Sequence, residues 1–146
     1  MFDINNVDRP VEMFIFDIYI AILKIEDTSS KFSNVQDLLY SYNHWDSVIR
    51  EFEIIGETSK YLLKDELFSK KYQVLVDFRN KITHEYFGID QDIVWLIIYN
   101  DLDEIKNMIM ELIYNIESGL KKELIESFLE DNRYLEFVVK KLDGLN

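Results

Sequence analysis

The residues best equipped for chemistry lie in one short run, Asp77-Phe78-Arg79-Asn80-Lys81-Ile82-Thr83-His84-Glu85-Tyr86-Phe87-Gly88-Ile89-Asp90. It combines a fixed cation (Arg79), an amide (Asn80), a titratable imidazole (His84) and a phenol (Tyr86). On a helix, Arg79, Thr83 and Tyr86 share a stripe, and His84 sits about 140° around from Arg79. Long side chains from these positions can converge beside a groove, and a second copy meeting the first would add donors. The matching chemistry is phosphodiester cleavage without a metal. A neutral imidazole takes the proton of a ribose 2′-hydroxyl and an imidazolium protonates the leaving oxygen. The guanidinium holds the phosphate and the charge that builds on it, and Asn80 can orient phosphate or imidazole. The need for a 2′-hydroxyl makes the substrate RNA. The plainer alternative is a histidine that closes a helix end, with Arg79 paired to an acid such as Asp77 or Glu85. Spacing alone leaves both open.

The surrounding pattern is helical. Asp8-Arg9-Pro10 reads as a helix start, followed by Val11, Ile15, Ile18, Ile22 and Ile25 at helical spacing. Ser33-Asn34 can cap a short helix bearing Val35, Leu38 and Leu39. From about His44 a stronger stripe runs through Trp45, Val48, Ile49, Phe52, Ile55, Ser59 and Leu62, with Gly56 inside it. An interior glycine costs a helix about 1 kcal/mol relative to alanine, which points to close packing of another helix there. A charged joint spans Lys64 to Lys71. Leu75, Phe78 and Ile82 mark the next helix, with Phe87-Gly88 as its stop. Asp90 or Asp92 can cap a long helix with the face Trp95, Ile98, Leu102, Ile105, Ile109, Leu112 and Ile116, ending near Gly119. The tail carries Leu124, Phe128, Leu135, Val138 and Leu142, broken at Asp131-Asn132. These elements imply an all-α, up-and-down helical bundle over 1–118, with a C-terminal helical extension over 119–146 packing on it. The density of large apolar residues suggests a homodimer.

Composition supports this. The 146 residues are 48% hydrophobic and 14% aromatic, enough to fill a core, and only four glycines and one proline are present. Turn-rich β folds and glycine-looped nucleotide folds are thereby disfavoured. The absence of cysteine excludes disulfides and thiolate sites, and two histidines cannot build a histidine metal cage. No signal-peptide pattern or membrane-length apolar run is evident, so a cytoplasmic protein is expected. The net charge of −12 argues against a protein that coats nucleic acid or an anionic membrane. That charge is uneven: residues 1–46 carry −5, residues 89–146 carry −7, and residues 47–88 are neutral with seven of the sixteen cations. Any bound anion belongs in this middle segment. Trp45 and Trp95 read as core or interface anchors, His44 as a helix-start residue, and Arg50 and Glu57 as cleft supports or ordinary helix ion-pair partners.

Two blocks in order, Val48-Ile49-Arg50-Glu51-Phe52-Glu53-Ile54-Ile55-Gly56-Glu57 and the R-x4-H-x-Y run Arg79–Tyr86, resemble the HepT-like family of HEPN-domain proteins. These are the toxin half of minimal-nucleotidyltransferase/HEPN toxin–antitoxin systems. The resemblance covers roughly residues 8 to 116 and excludes the tail. It implies a helical homodimer with the two motifs facing across a cleft, and a metal-independent endoribonuclease that needs no cofactor. Arg79 and His84 would be catalytic, Asn80 would fill the polar position after the arginine, and Tyr86 would be the tyrosine AMPylated by the cognate nucleotidyltransferase antitoxin. Added AMP would bring negative charge and bulk to a cleft meant for RNA phosphate.

Overall fold

A computed structural model describes residues 10–85 and 88–146. Among these residues the chain is all-helical, with no strand, as the periodicity requires. The elements are α1 (Val11–Ser29), α2 (Val35–Tyr40), α3 (Tyr42–Lys64), a 3-10 turn (Lys70–Tyr72), α4 (Gln73–His84), α5 (Gln91–Leu96), a π turn (Ile97–Asp101), α6 (Leu102–Tyr114), α7 (Ser118–Asn132) and α8 (Glu136–Asp143). No helix among the described residues is long and apolar enough to cross a membrane.

The first helix is the axis of the bundle. The segment MFIFDIYIAILKI is apolar nearly all round, and a helix of that kind must be covered on most sides. Besides the expected Ile15, Ile18, Ile22 and Ile25, the residues Met13, Phe16, Tyr19, Ile20, Ala21 and Leu23 are buried. The covering elements are α3, α6, α7 and α8. From the tail, Phe128 stacks on Phe16 with ring centroids 5.2 Å apart, and Val138, Leu142 and Leu145 join the same core. Each large side chain so buried contributes about 2 kcal/mol.

Several ends follow local rules. Asn34 accepts from the Asp37 amide at 3.0 Å to cap α2, and Asp90 accepts from the Asp92 amide at 2.9 Å to cap α5. Asp8 lies outside the described residues, and Pro10 immediately precedes α1. Two expectations need correction. Gly119 does not end the sixth helix, which stops at Tyr114; it lies in the first turn of α7. There Glu117 caps the new helix, accepting from the Gly119 and Leu120 amides at 2.7 and 2.9 Å, and those two bonds hold its carboxyl below the usual range. The long 91–114 face is also not a uniform α-helix. A π turn at Ile97–Asp101 adds a residue, and the buried positions run Ile98, Leu102, Ile105, Ile109 and Ile113 rather than on to Leu112.

The pair α3–α4 carries the site. Helix α3 closes in a Schellman motif: the Leu67 amide donates to Leu62 O at 2.8 Å and the Glu66 amide to Leu63 O at 3.1 Å. Glu66 takes the left-handed position usually given to glycine, with φ of 60°. This turn, and the 3-10 turn capped by Ser69, fold α4 back along α3. The two helices meet through Phe52 and Phe78, edge to face at 5.4 Å, and through Gly56. A Cβ at Gly56 would stand 2.7 Å from Leu75 O, 2.9 Å from Arg79 Cγ and closer still to Arg79 Cβ. The expected close approach is therefore present, and Arg79 is the residue that makes it.

Glu51 is buried in this layer, 7% exposed, with Oε2 unpaired and Lys24 Nζ 4.0 Å from Oε1. Burial raises its carboxyl pKa, against the smaller lowering effects of Lys24 and Arg50. A carboxyl whose folded pKa exceeds its unfolded value binds more protons when folded, so stability falls as pH rises between the two. Glu51→Gln is expected to melt above the wild type at neutral pH, the gap narrowing as pH falls toward the unfolded carboxyl pKa. Thermal melts across that range check it, and a gap independent of pH would contradict it.

Candidate active site

Arg79 emerges from the second turn of α4, directly over Gly56. Its guanidinium is held from both sides. Nη2 pairs with Glu57 Oε2 on α3 at 3.2 Å, and Nη1 donates to Asn80 Oδ1 at 3.2 Å. Glu57 also takes Lys60 Nζ at 3.1 Å, so one carboxylate bridges two cations. The Arg79 side chain remains 28% exposed, reachable by a ligand yet fixed in direction. Neither Asp77 nor Glu85 pairs with it. Asp77 accepts from Gln73 Nε2 at 3.3 Å instead.

His84 is the last residue of α4 and is exposed. It makes no hydrogen bond or ion pair with a described residue. Five residues of helix separate it from Arg79, about 7.5 Å along the axis. No hydrogen bond joins the two side chains. The Thr83 hydroxyl donates back to Arg79 O at 3.1 Å, anchoring this last turn. Lys81 is exposed on the same turn and has no ion pair among the described residues. Past His84 the chain leaves the helix, the Glu85 amide donating to Lys81 O at 2.8 Å and the Gly88 amide to Glu85 O at 2.8 Å. Tyr86, the expected modification site, and Phe87 lie outside the described residues.

The structure thus brings Arg79, Asn80, Gly56 and Glu57 together and sets His84 at the end of the same helix. Arg50 is exposed and makes no ion pair among the described residues. His44, near the start of α3, is tied to Ser41 Oγ at 2.6 Å and packs edge-on to Phe32, away from this cluster. Two features escaped the sequence reading. The first is Lys60, linked to Arg79 through Glu57. The second is buried Glu51, whose signal was available: 48, 51, 52 and 55 share a helix face, and a carboxylate sits in that otherwise apolar stripe. Among the described residues, no group of three or more His, Cys, Asp or Glu side chains is placed to hold a metal ion.

Fold and site together define an all-helical bundle that presents an arginine and a histidine on the terminal turns of one helix. The chain belongs to the HepT-like ribonuclease family, whose model, Ribonuclease HepT-like, matches residues 18–112. Among curated relatives, a Methanocaldococcus jannaschii protein named "Putative RNase MJ1380" is 32% identical over 108 residues, covering 67% of this chain and 92% of that protein. Another from the same organism, "Putative RNase MJ0127", is 33% identical over 114 residues, covering 75% and 92%. A Thermococcus cleftensis protein named "Probable ribonuclease HepT" is 30% identical over 104 residues, covering 68% and 92%. No solved structure matches the chain. The matched span runs from within α1 to within α6 and leaves α7 and α8 outside it.

Proposed function

We propose that this protein is a metal-independent endoribonuclease, the toxin of a HEPN/minimal-nucleotidyltransferase toxin–antitoxin pair acting in the cytoplasm. The observation that carries the reading is the α4 terminus: a guanidinium oriented by Glu57 and Asn80, and an exposed His84 with no described partner. In the proposed reaction Arg79 binds the scissile phosphate. A neutral His84 removes the 2′-hydroxyl proton, the 2′-oxygen attacks phosphorus, and the bond to the 5′-oxygen breaks. A protonated imidazole gives that oxygen its proton, leaving a 2′,3′-cyclic phosphate and a free 5′-hydroxyl.

A homodimer supplies both imidazoles, each His84 facing its counterpart across a cleft. This is the simplest way for one helix end to provide an acid and a base, since His84 has no second titratable partner among the described residues. The bundle of residues 1–118 is the catalytic unit in this reading, and 119–146 is an extension supported by its packing on α1. AMPylation of Tyr86 by a nucleotidyltransferase antitoxin would silence the site, adding negative charge two residues from His84.

The purified protein should cleave RNA in excess EDTA with cyclic-phosphate ends, and a 2′-deoxy nucleotide at the cleaved position should block the reaction. Co-expression with a minimal nucleotidyltransferase should add mass in steps of AMP, and Tyr86→Phe should abolish the gain. Intact-mass and product-end analysis read both results, and metal-dependent cleavage would refute the mechanism.

A second reading rests on the Glu57–Arg79 pair itself. A carboxylate already occupies the guanidinium face that would hold phosphate, and the whole chain is strongly acidic. On that reading the protein is a catalytically weak module that binds a nucleotidyltransferase or a nucleotide. A stable complex with the nucleotidyltransferase, without cleavage by the free protein, would favour it.

A further inference from the structure

The cations of the neutral middle segment are not scattered evenly. Lys60, Lys64 and Lys70 line one open groove of about 810 Å³ where α3 turns into α4. Leu63 and Phe68 form part of its lining, Ser69 and Gln73 add polar groups, and Glu66 is the single acid among its lining residues. All three lysines are exposed. Lys64 and Lys70 have no ion pair among the described residues, as is also true of Lys81, Lys121, Lys122 and Lys141, whereas Lys24, Lys31, Lys71, Lys106 and Lys140 are each paired to a carboxylate. Lys60 connects the groove to the site, since its carboxylate partner Glu57 also holds Arg79. Lys60, linked to Arg79 through the Glu57 carboxylate, therefore sets this lysine-lined groove beside the site, in a molecule otherwise dominated by acids.

Resting on the ribonuclease reading of the Arg79–His84 site, we propose that this groove binds the backbone of single-stranded RNA flanking the phosphate at Arg79. Two unpaired ammonium groups, Lys64 and Lys70, and the Glu57-bound Lys60, with Glu66 as the one lining carboxylate, suit successive phosphodiesters. The groove is open rather than closed, as a strand entering from either direction requires. Arg79 contributes one fixed point of charge, and the lysines supply the further phosphate contacts that an acidic surface otherwise withholds. The protein would then favour a strand threaded through this groove over RNA in general, because its other faces repel the polyanion.

The test uses the full chain carrying His84→Ala, which keeps RNA intact, and a fluorescent single strand of about 12 nucleotides. Anisotropy titrations at several salt concentrations compare this parent with Lys64→Glu/Lys70→Glu. The expected result is a loss of affinity of about tenfold or more, with a salt dependence shallower by roughly one to two counterions. The double reversal Lys122→Glu/Lys141→Glu, elsewhere on the surface, should stay within about twofold of the parent, which separates the groove from net charge alone. An unchanged affinity in the groove variant, equal losses in both variants, or no RNA binding by the parent would overturn the proposal. So would a groove variant that holds RNA normally but releases a bound nucleotidyltransferase, since that face would then be a protein-docking surface. Cleavage by the wild type is measured alongside. RNA binding that depends on Lys64 and Lys70 without any cleavage would sink the nuclease reading and leave the groove standing. Normal cleavage with groove-independent binding would do the reverse.

Discussion

Replacing His84 with alanine is expected to lower the single-turnover rate of RNA cleavage on the order of 10³-fold while leaving the melting temperature nearly unchanged. Both halves follow from its position. The imidazole is the proposed proton carrier, and α4 holds no other histidine. The side chain is also exposed and unbonded to any described residue, so its removal leaves no cavity and no orphaned group. Substitutions of that kind change stability by about 0.5 kcal/mol or less. Arg79→Ala is a less clean experiment, because it also frees Glu57 and Asn80 from the contacts that fix them. Cleavage in EDTA and thermal denaturation, measured on the same His84→Ala sample, provide the check. Full activity would remove His84 from the mechanism, and a large fall in melting temperature would make it a structural residue.

Gly56→Ala is expected to weaken both the fold and the activity, although alanine is the better helix former. Propensity favours the change by about 1 kcal/mol. Sterics oppose it more strongly. The new methyl would meet the Leu75 carbonyl, a backbone atom that cannot swing aside, together with Arg79 Cβ and Cγ. Overpacking of this sort costs about 1–3 kcal/mol, and here the contact lies in the middle of a helix pair. The net expectation is a loss of up to about 2 kcal/mol, or a melting temperature lower by up to roughly 8 °C. Relief comes from moving α4 off α3, which carries the guanidinium away from Glu57. A displacement near 1 Å at a phosphate-binding group can reduce turnover by about 10²-fold. Cleavage assayed well below the melting midpoint separates this from unfolding. A variant as stable and active as the wild type would show that α3 and α4 do not depend on this close approach.

How legible these features were depended on how local they are. The Asn34 and Asp90 caps, the α4 residues and the break after Asn132 rest on neighbours within a few positions, and the sequence pattern indicates them directly. Gly56 was legible as a point of close packing because an interior glycine has a cost that needs an explanation. What it packs against was not legible, since Arg79 lies on another helix and the pairing depends on the turn between them. The same applies to Glu57. Asp77 and Glu85 were the nearer candidates along the chain, but residues two apart on a helix do not face each other, and six apart are displaced well around it. The end of α3 was obscured for a different reason: its left-handed position holds Glu66, so the glycine that usually announces a Schellman motif is missing. Gly119 misled in the opposite sense, being a helix-start residue beneath the Glu117 cap rather than a stop. The all-round burial of α1 is legible in the apolar run MFIFDIYIAILKI, which a five-position stripe understates; that α7 and α8 supply part of the cover is not, since they lie far along the chain.

That central helix also governs how the protein is made. Helix α1 leaves the ribosome well before α6, α7 and α8, which complete its coverings. At about 5–20 residues per second, the interval between them lasts roughly 6–25 s. During that time α1 has α3 to pack against but still shows Phe16 and its neighbours to water. The nascent chain is consequently a sticky, incomplete bundle until these helices emerge, and α7 and α8 act as the closing piece of the core. Translational pausing before α7, or truncation there, would leave an apolar strip along the bundle axis for chaperones or other nascent chains to find.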